Sequence, residues 1–194
     1  MQARSWWLPL LLLAGCQTLS VPEPQDWPQR RASLQAIQQF QFNGRLAVAA
    51  GNEGFSAGLR WQQRQQRSEL KLQSPLGFNA AQIDYDGGSL RIIGNDGAVL
   101  EGAAAESGLI DALGFAPPLP SLRYWLLGSS DPAAAVAAEE WLDDMQRLAR
   151  LAQDGWLIEY DEYQVVGGRW LPRRMTLHRD TVRVRLVINR WQLS

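Results

Sequence analysis

From Phe40 onward apolar and polar residues alternate with a period of two, a pattern that admits half-buried β-strands and excludes a mainly helical fold. Phe40, Phe42, Leu46 and Val48 alternate with Gln41, Asn43 and Arg45. Phe55, Ala57, Leu59 and Trp61 alternate with Ser56, Gly58, Arg60 and Gln62, and Leu70 and Leu72 with Glu69, Lys71 and Gln73. The pattern resumes at Ala81, Ile83 and Tyr85, turns at Gly87-Gly88, runs through Leu90 and Ile92, and turns again at Asn95-Asp96-Gly97 before Val99. Leu148 to Tyr160 fits a hairpin turning at Asp154-Gly155. Strands follow around Trp170, around Met175 and Leu177, and from Val182 to Ile188. Links this short imply an antiparallel meander.

Three stretches break the alternation. Asp26 is placed to cap a helix from Trp27 to about Gln39, with Pro28 in its first turn and Leu34 and Ile37 on one face. Ala103 to Leu113 groups Leu109, Ile110 and Leu113 and stops at Gly114; Ser121 to Leu127 groups Leu122, Trp125 and Leu126 and stops at Gly128. Asp131 to Met145 is Ala-rich with Pro132 at an N1 position, and reads as helix or loop. A one-faced sheet with short apolar helices has two solutions. The helices plug the sheet as ordinary core, or they leave an apolar cavity. Candidates to line such a cavity are Leu59, Trp61, Leu70, Leu72 and Ile83 from strands, with Leu109, Leu113, Trp125 and Leu126 from helices; any one of them also suits a filled core.

The N-terminus reads as a bacterial lipoprotein signal. Arg4 supplies a positive start, Trp6 to Ala14 an apolar run too short to span a bilayer, and Leu13-Ala14-Gly15 the small-residue cleavage site before Cys16, the sole cysteine. Residues 1–15 are expected to be removed, and Cys16 to carry a diacylglycerol and an N-acyl chain, the only added group expected. Residues 16–25 form a lipidated tether whose two prolines oppose packing, and 26–194 a single domain. Gln17 stands where an acidic residue would signal retention in the inner membrane, so the expected site is the outer membrane, inner leaflet, facing the periplasm.

Enzyme chemistry lacks its parts. No Gly-x-Gly occurs, and Leu70 precedes Lys71, the sole lysine, where a P-loop needs glycine. His178 is the sole histidine, expected on a strand surface, and no Gly-x-Ser-x-Gly elbow accompanies it. Glu139, Glu140, Asp143 and Asp144 lack the spacing of a calcium loop and read as a solvated loop, so no metal is expected. With 19 basic and 20 acidic residues the chain has no polycationic signature for nucleic acid. Nothing in it requires more than a monomer.

The segments Phe42-Asn43-Gly44-Arg45-Leu46-Ala47-Val48, Leu59-Arg60-Trp61-Gln62-Gln63, Leu72-Gln73-Ser74-Pro75-Leu76-Gly77, Leu122-Arg123-Tyr124-Trp125-Leu126-Leu127-Gly128 and Leu148 to Trp156 are similar, in order and spacing, to the LolB family of outer-membrane lipoproteins. The resemblance implies a mainly β fold, an incomplete, half-open antiparallel β-barrel closed by short α-helices around an apolar cavity. It implies a receptor that accepts triacylated lipoproteins from a soluble periplasmic, LolA-like carrier and inserts them into outer-membrane lipid.

Leu76 is the sharpest single residue. Pro75 and Gly77 make a tight turn whose apolar tip has no local reason to be apolar. The resemblance implies that this tip delivers cargo into the membrane; a leucine folded back on its own sheet is the alternative. Phe78 either extends the wedge or begins the next strand. Arg173, Arg174, Arg179, Arg183 and Arg185 could meet the carrier or anionic headgroups, or form a solvated outer face. Two competing functions remain: an outer-membrane scaffold that binds a protein partner with a dry, filled core, and a lipid hydrolase that would need His178 in a pocket.

Overall fold

The computed structural model describes residues 26–73 and 81–193; the signal peptide, Cys16, the tether and the Leu76 turn fall outside these described residues. Helix α1 (Trp27–Gln35) has Pro28 in its first turn. It ends before Gln39 because that residue already pairs with Arg64 in the sheet. Asp26 makes no side-chain cap, contrary to the expectation; its carbonyl accepts the Arg30 N–H at 2.9 Å.

A first meander follows, β1 (Gln39–Ala50), β2 (Glu53–Arg64), β3 (Arg67–Gln73), β4 (Ala81–Tyr85), β5 (Leu90–Gly94) and β6 (Val99–Glu101). Helices α2 (Gly102–Leu113) and α3 (Leu119–Trp125) come next. The chain returns through β7 (Glu139–Leu142), β8 (Leu148–Gln153), β9 (Trp156–Val166), β10 (Arg169–Arg179) and β11 (Val182–Leu193). All eleven strands form one antiparallel sheet in the order β6-β5-β4-β3-β2-β1-β11-β10-β9-β8-β7. The two meanders are joined where β11 pairs with β1, from Phe40 opposite Leu193 to Ala50 opposite Val182. Strands β6 and β7 remain the free edges, so the curled sheet is half-open, and α2 and α3 occupy the connection between those edges.

The Ala-rich stretch is neither a helix nor wholly loop. Asp131 Oδ1 accepts the Ala133 N–H at 2.9 Å, a local turn that competes with a helical start, and Glu139–Leu142 joins the sheet edge as β7. The acidic cluster is accordingly a solvated loop only in part: Glu139 and Asp144 stand exposed, whereas Glu140 and Asp143 are held. Glu140 accepts the Trp27 indole N–H at 2.6 Å, Arg31 at 3.0 Å and the Ser130 hydroxyl at 2.7 Å, tying α1 to the far edge of the sheet. Asp143 instead takes Arg147 at 2.7 Å.

Packing divides the inner face into two regions. Near the start of β1, Phe42 stacks on Trp61 at 6.2 Å between centroids, and Trp191 meets both Phe40 and Phe42, filling that end with aromatic rings. The register shift between Asn43 and Gly44 bends β1 there, bringing the Val187 carbonyl within 2.5 Å of where a Gly44 Cβ would stand. Gly44→Ala is therefore expected to cost about 1–3 kcal/mol by overpacking against backbone, measurable by urea denaturation. Toward the other end of β1 the inner residues are aliphatic, and there the interior opens.

Candidate functional site: an apolar cavity

Inner-face residues of both meanders converge beneath the helices. Leu46 and Val48 on β1, Leu59 and Trp61 on β2, Leu70 and Leu72 on β3 and Ile83 on β4 face Leu177 on β10 and Val184 and Leu186 on β11. Leu109 and Leu113 of α2, Leu119 and Leu122 of α3, Leu126 just beyond it, and the Phe115–Pro118 link form the cover. The free space is about 100 Å³, and its wall presents no polar surface. A cavity with this wall selects an occupant without hydrogen-bonding groups, because burying a polar group unpaired costs about 1–3 kcal/mol.

Eight of the nine positions singled out by alternation and helical grouping therefore stand around one space: Leu59, Trp61, Leu70, Leu72, Ile83, Leu109, Leu113 and Leu126. Trp125 is the correction. It is fully buried, but its ring packs on Trp156 and its indole N–H donates to Gln153 Oε1 at 2.8 Å, so it supports α3 from behind. Helical grouping places Leu122, Trp125 and Leu126 on one broad face and does not say which of them turns to the cavity. Sequence reasoning missed the wall supplied by Trp156, Leu177, Val184 and Leu186. Their alternation was visible, but their meeting with β1–β4 depends on the β1–β11 pairing.

A second hollow of about 410 Å³ adjoins the first. It shares Leu72, Ile83, Leu109 and Leu113 with it and runs out between α2 and the sheet past Phe55, Ile92 and Leu100. Phe55 is 36% and Leu100 41% exposed, so the apolar tract continues to the surface. Its lining includes Leu72 and Ala81, beside the end of β3 and at the start of β4.

The remaining candidates lie elsewhere. His178 is on the outer face of β10 with Nε2 3.3 Å from Glu159, beside a surface hollow with no serine, threonine or cysteine in its lining. Among the described residues no group of His, Cys, Asp and Glu could hold a metal ion. Arg173 and Arg174 pair with Glu162 and Arg179 approaches Asp180, while Arg183 and Arg185 stand exposed on the outer face of β11, without an ion pair among the described residues. No helix among the described residues is long and apolar enough to cross a membrane.

Comparison with known proteins agrees with this geometry. The chain is 35% identical over 190 residues to the outer-membrane lipoprotein LolB of Nitrosococcus oceani, covering 95% of this chain and 94% of that one. It is 35% identical over 191 residues to the protein of the same name from Pseudomonas syringae pv. syringae, covering 94% and 92%. The crystal structure of a LolA superfamily protein from Nitrosomonas europaea shares the fold, with a TM-score of 0.54 at 10% identity over 88% of this chain and 94% of that one. The family model described as outer membrane lipoprotein LolB matches residues 38–191, from the start of the sheet to its last strand, and the chain belongs to that family.

Proposed function

We propose that this protein is a lipid-anchored receptor of the outer membrane that takes triacylated lipoproteins from a soluble periplasmic carrier and inserts them into the inner leaflet. The observation that carries the reading is the cavity beneath α2 and α3 whose wall is wholly apolar. Burying a chain of about sixteen carbons gains on the order of 12 kcal/mol relative to water, so acylated cargo passes between apolar sites rather than through solvent. Transfer proceeds without ATP when the receiving cavity holds the chains more tightly than the donor, and the bilayer more tightly still.

The cavity must enlarge to do this. A space of about 150 Å³ takes one benzene, and the 100 Å³ present here is smaller than one acyl chain. Strands β1–β4 and β11 are each paired on both sides, whereas α2 and α3 lie between two free edges, so the helices are the part that yields. The apolar tract past Leu72 and Leu100 supplies the route along which a chain extends as they do.

The test is binding of a fluorescent fatty-acyl probe to residues 17–194 made without the lipid. Saturable binding quenched by cross-linking α2 to the sheet supports the reading, and no binding sinks it. Delivery is assigned to Leu76, and Leu76→Glu is expected to leave uptake from the carrier within about twofold while cutting transfer to liposomes at least tenfold. Scoring cargo on the protein and in the liposomes separately checks this.

A further inference from the structure

Among the described residues the buried cation Arg30 has no ion pair, and it lies away from the cavity. Arg30 of α1 is only 6% exposed, and its Nε–H meets no acceptor. The one carboxylate whose charge Arg30 feels, Asp143, is already held by Arg147 through its side chain. Burial is the main cause that lowers the Arg30 pKa from its ordinary value; Arg147 acts the same way, and Tyr163 and Asp143 oppose it.

Arg30 borders a hollow of about 250 Å³ between α1 and the β9–β10 turn, with Ser33, Gly167, Gly168, Arg169 and Trp170. No carboxylate lines it. The Trp170 indole N–H is buried and unpaired, like the Arg30 Nε–H, and the Trp170 ring carries the Arg147 guanidinium 4.8 Å from its centroid. The site thus collects the positive charge of Arg30 and Arg169, with no carboxylate, around a space several times the volume of one water. Buried groups of this kind are held in native structures by a counter-charge.

We infer that this hollow is an oxyanion site that takes a phosphate group, with the Arg30 guanidinium as its principal donor and Arg169 at its exposed rim. A guanidinium fork matches a phosphate better than any other side chain does. The position suits a lipid phosphate. Helix α1 is the first element after residues 16–25, which at ~3.5 Å per residue hold it within about 35 Å of the proposed anchor. Free phosphate presents the same chemistry, and the test separates the two. The inference is independent of cargo transfer and stands or falls without it.

The experiment is calorimetric titration of the mature lipidated protein in nonionic micelles at fixed ionic strength, with inorganic phosphate in one arm and phosphatidylglycerol in the other. Saturable one-site binding that weakens at least tenfold in Arg30→Gln is expected. Binding in the lipid arm assigns a headgroup phosphate; binding in the inorganic arm alone assigns free phosphate. Arg169→Gln, at an exposed position, is expected to weaken binding several-fold and serves where Arg30→Gln loses its fold. Failure of both titrants to give a signal that these substitutions reduce overturns the site.

Discussion

Leu72→Glu is expected to abolish acyl binding, lowering the affinity for a fatty-acyl probe at least about 100-fold at neutral pH while leaving the domain folded. Leu72 borders both apolar spaces and is only half-buried, so a carboxylate there keeps a route to solvent in the free protein. An acyl chain filling the tract removes that route, and the ionised form then loses its hydration, which costs several kcal/mol. Burial raises a carboxyl pKa. Affinity in the variant is therefore expected to recover partly as pH falls toward the raised pKa, whereas Leu72→Met stays near wild type at every pH. Probe titrations across pH 5–8 check both statements.

Gln153→Leu is expected to lower folding stability by about 3–5 kcal/mol, the largest loss from a single polar group here. Its Oε1 accepts the Trp125 indole N–H at 2.8 Å and the Asp131 N–H at 2.9 Å, and its Nε2 donates to the Asp131 carbonyl at 2.9 Å. These groups are buried, so leucine strands two donors and an acceptor rather than removing a single bond. The clamp also holds the end of α3 to β8. Its loss is expected to loosen the cavity cover as well as the fold, seen as faster amide exchange at Leu126 and Leu127 alongside a lower denaturation midpoint.

Strands and turns were legible because each is local. Alternation at Leu59, Trp61, Leu70, Leu72 and Ile83 states which side chains share a face, and the turns at Gly87-Gly88 and Asp154-Gly155 state which neighbours pair. The closure was not legible from local pattern. Phe40 meets Leu193 across almost the whole domain, and nothing in either strand's period names the other as partner. The C-terminal wall at Trp156, Leu177 and Leu186 was hidden for that reason. Glu140 shows the same limit for charge. Composition placed it among solvated acids, yet Trp27 and Arg31, more than a hundred positions earlier, give it a structural role. At Ala133 to Ala138 helix propensity lost to the Asp131 turn and the pull of the sheet edge, a few tenths of a kcal/mol per residue against fixed hydrogen bonds.

The proposed receptor function requires passage of acyl chains from a donor into this cavity and on into a bilayer. The most direct measurement mixes carrier-bound triacylated lipoprotein with residues 17–194 and liposomes, without ATP, and follows the cargo over time. The expected result is cargo leaving the carrier, appearing transiently on this protein and accumulating in the liposomes, with uptake lost in Leu72→Glu. Cargo that stays on the carrier in the presence of the folded wild-type domain would contradict the receptor function and favour a scaffold that binds a protein partner.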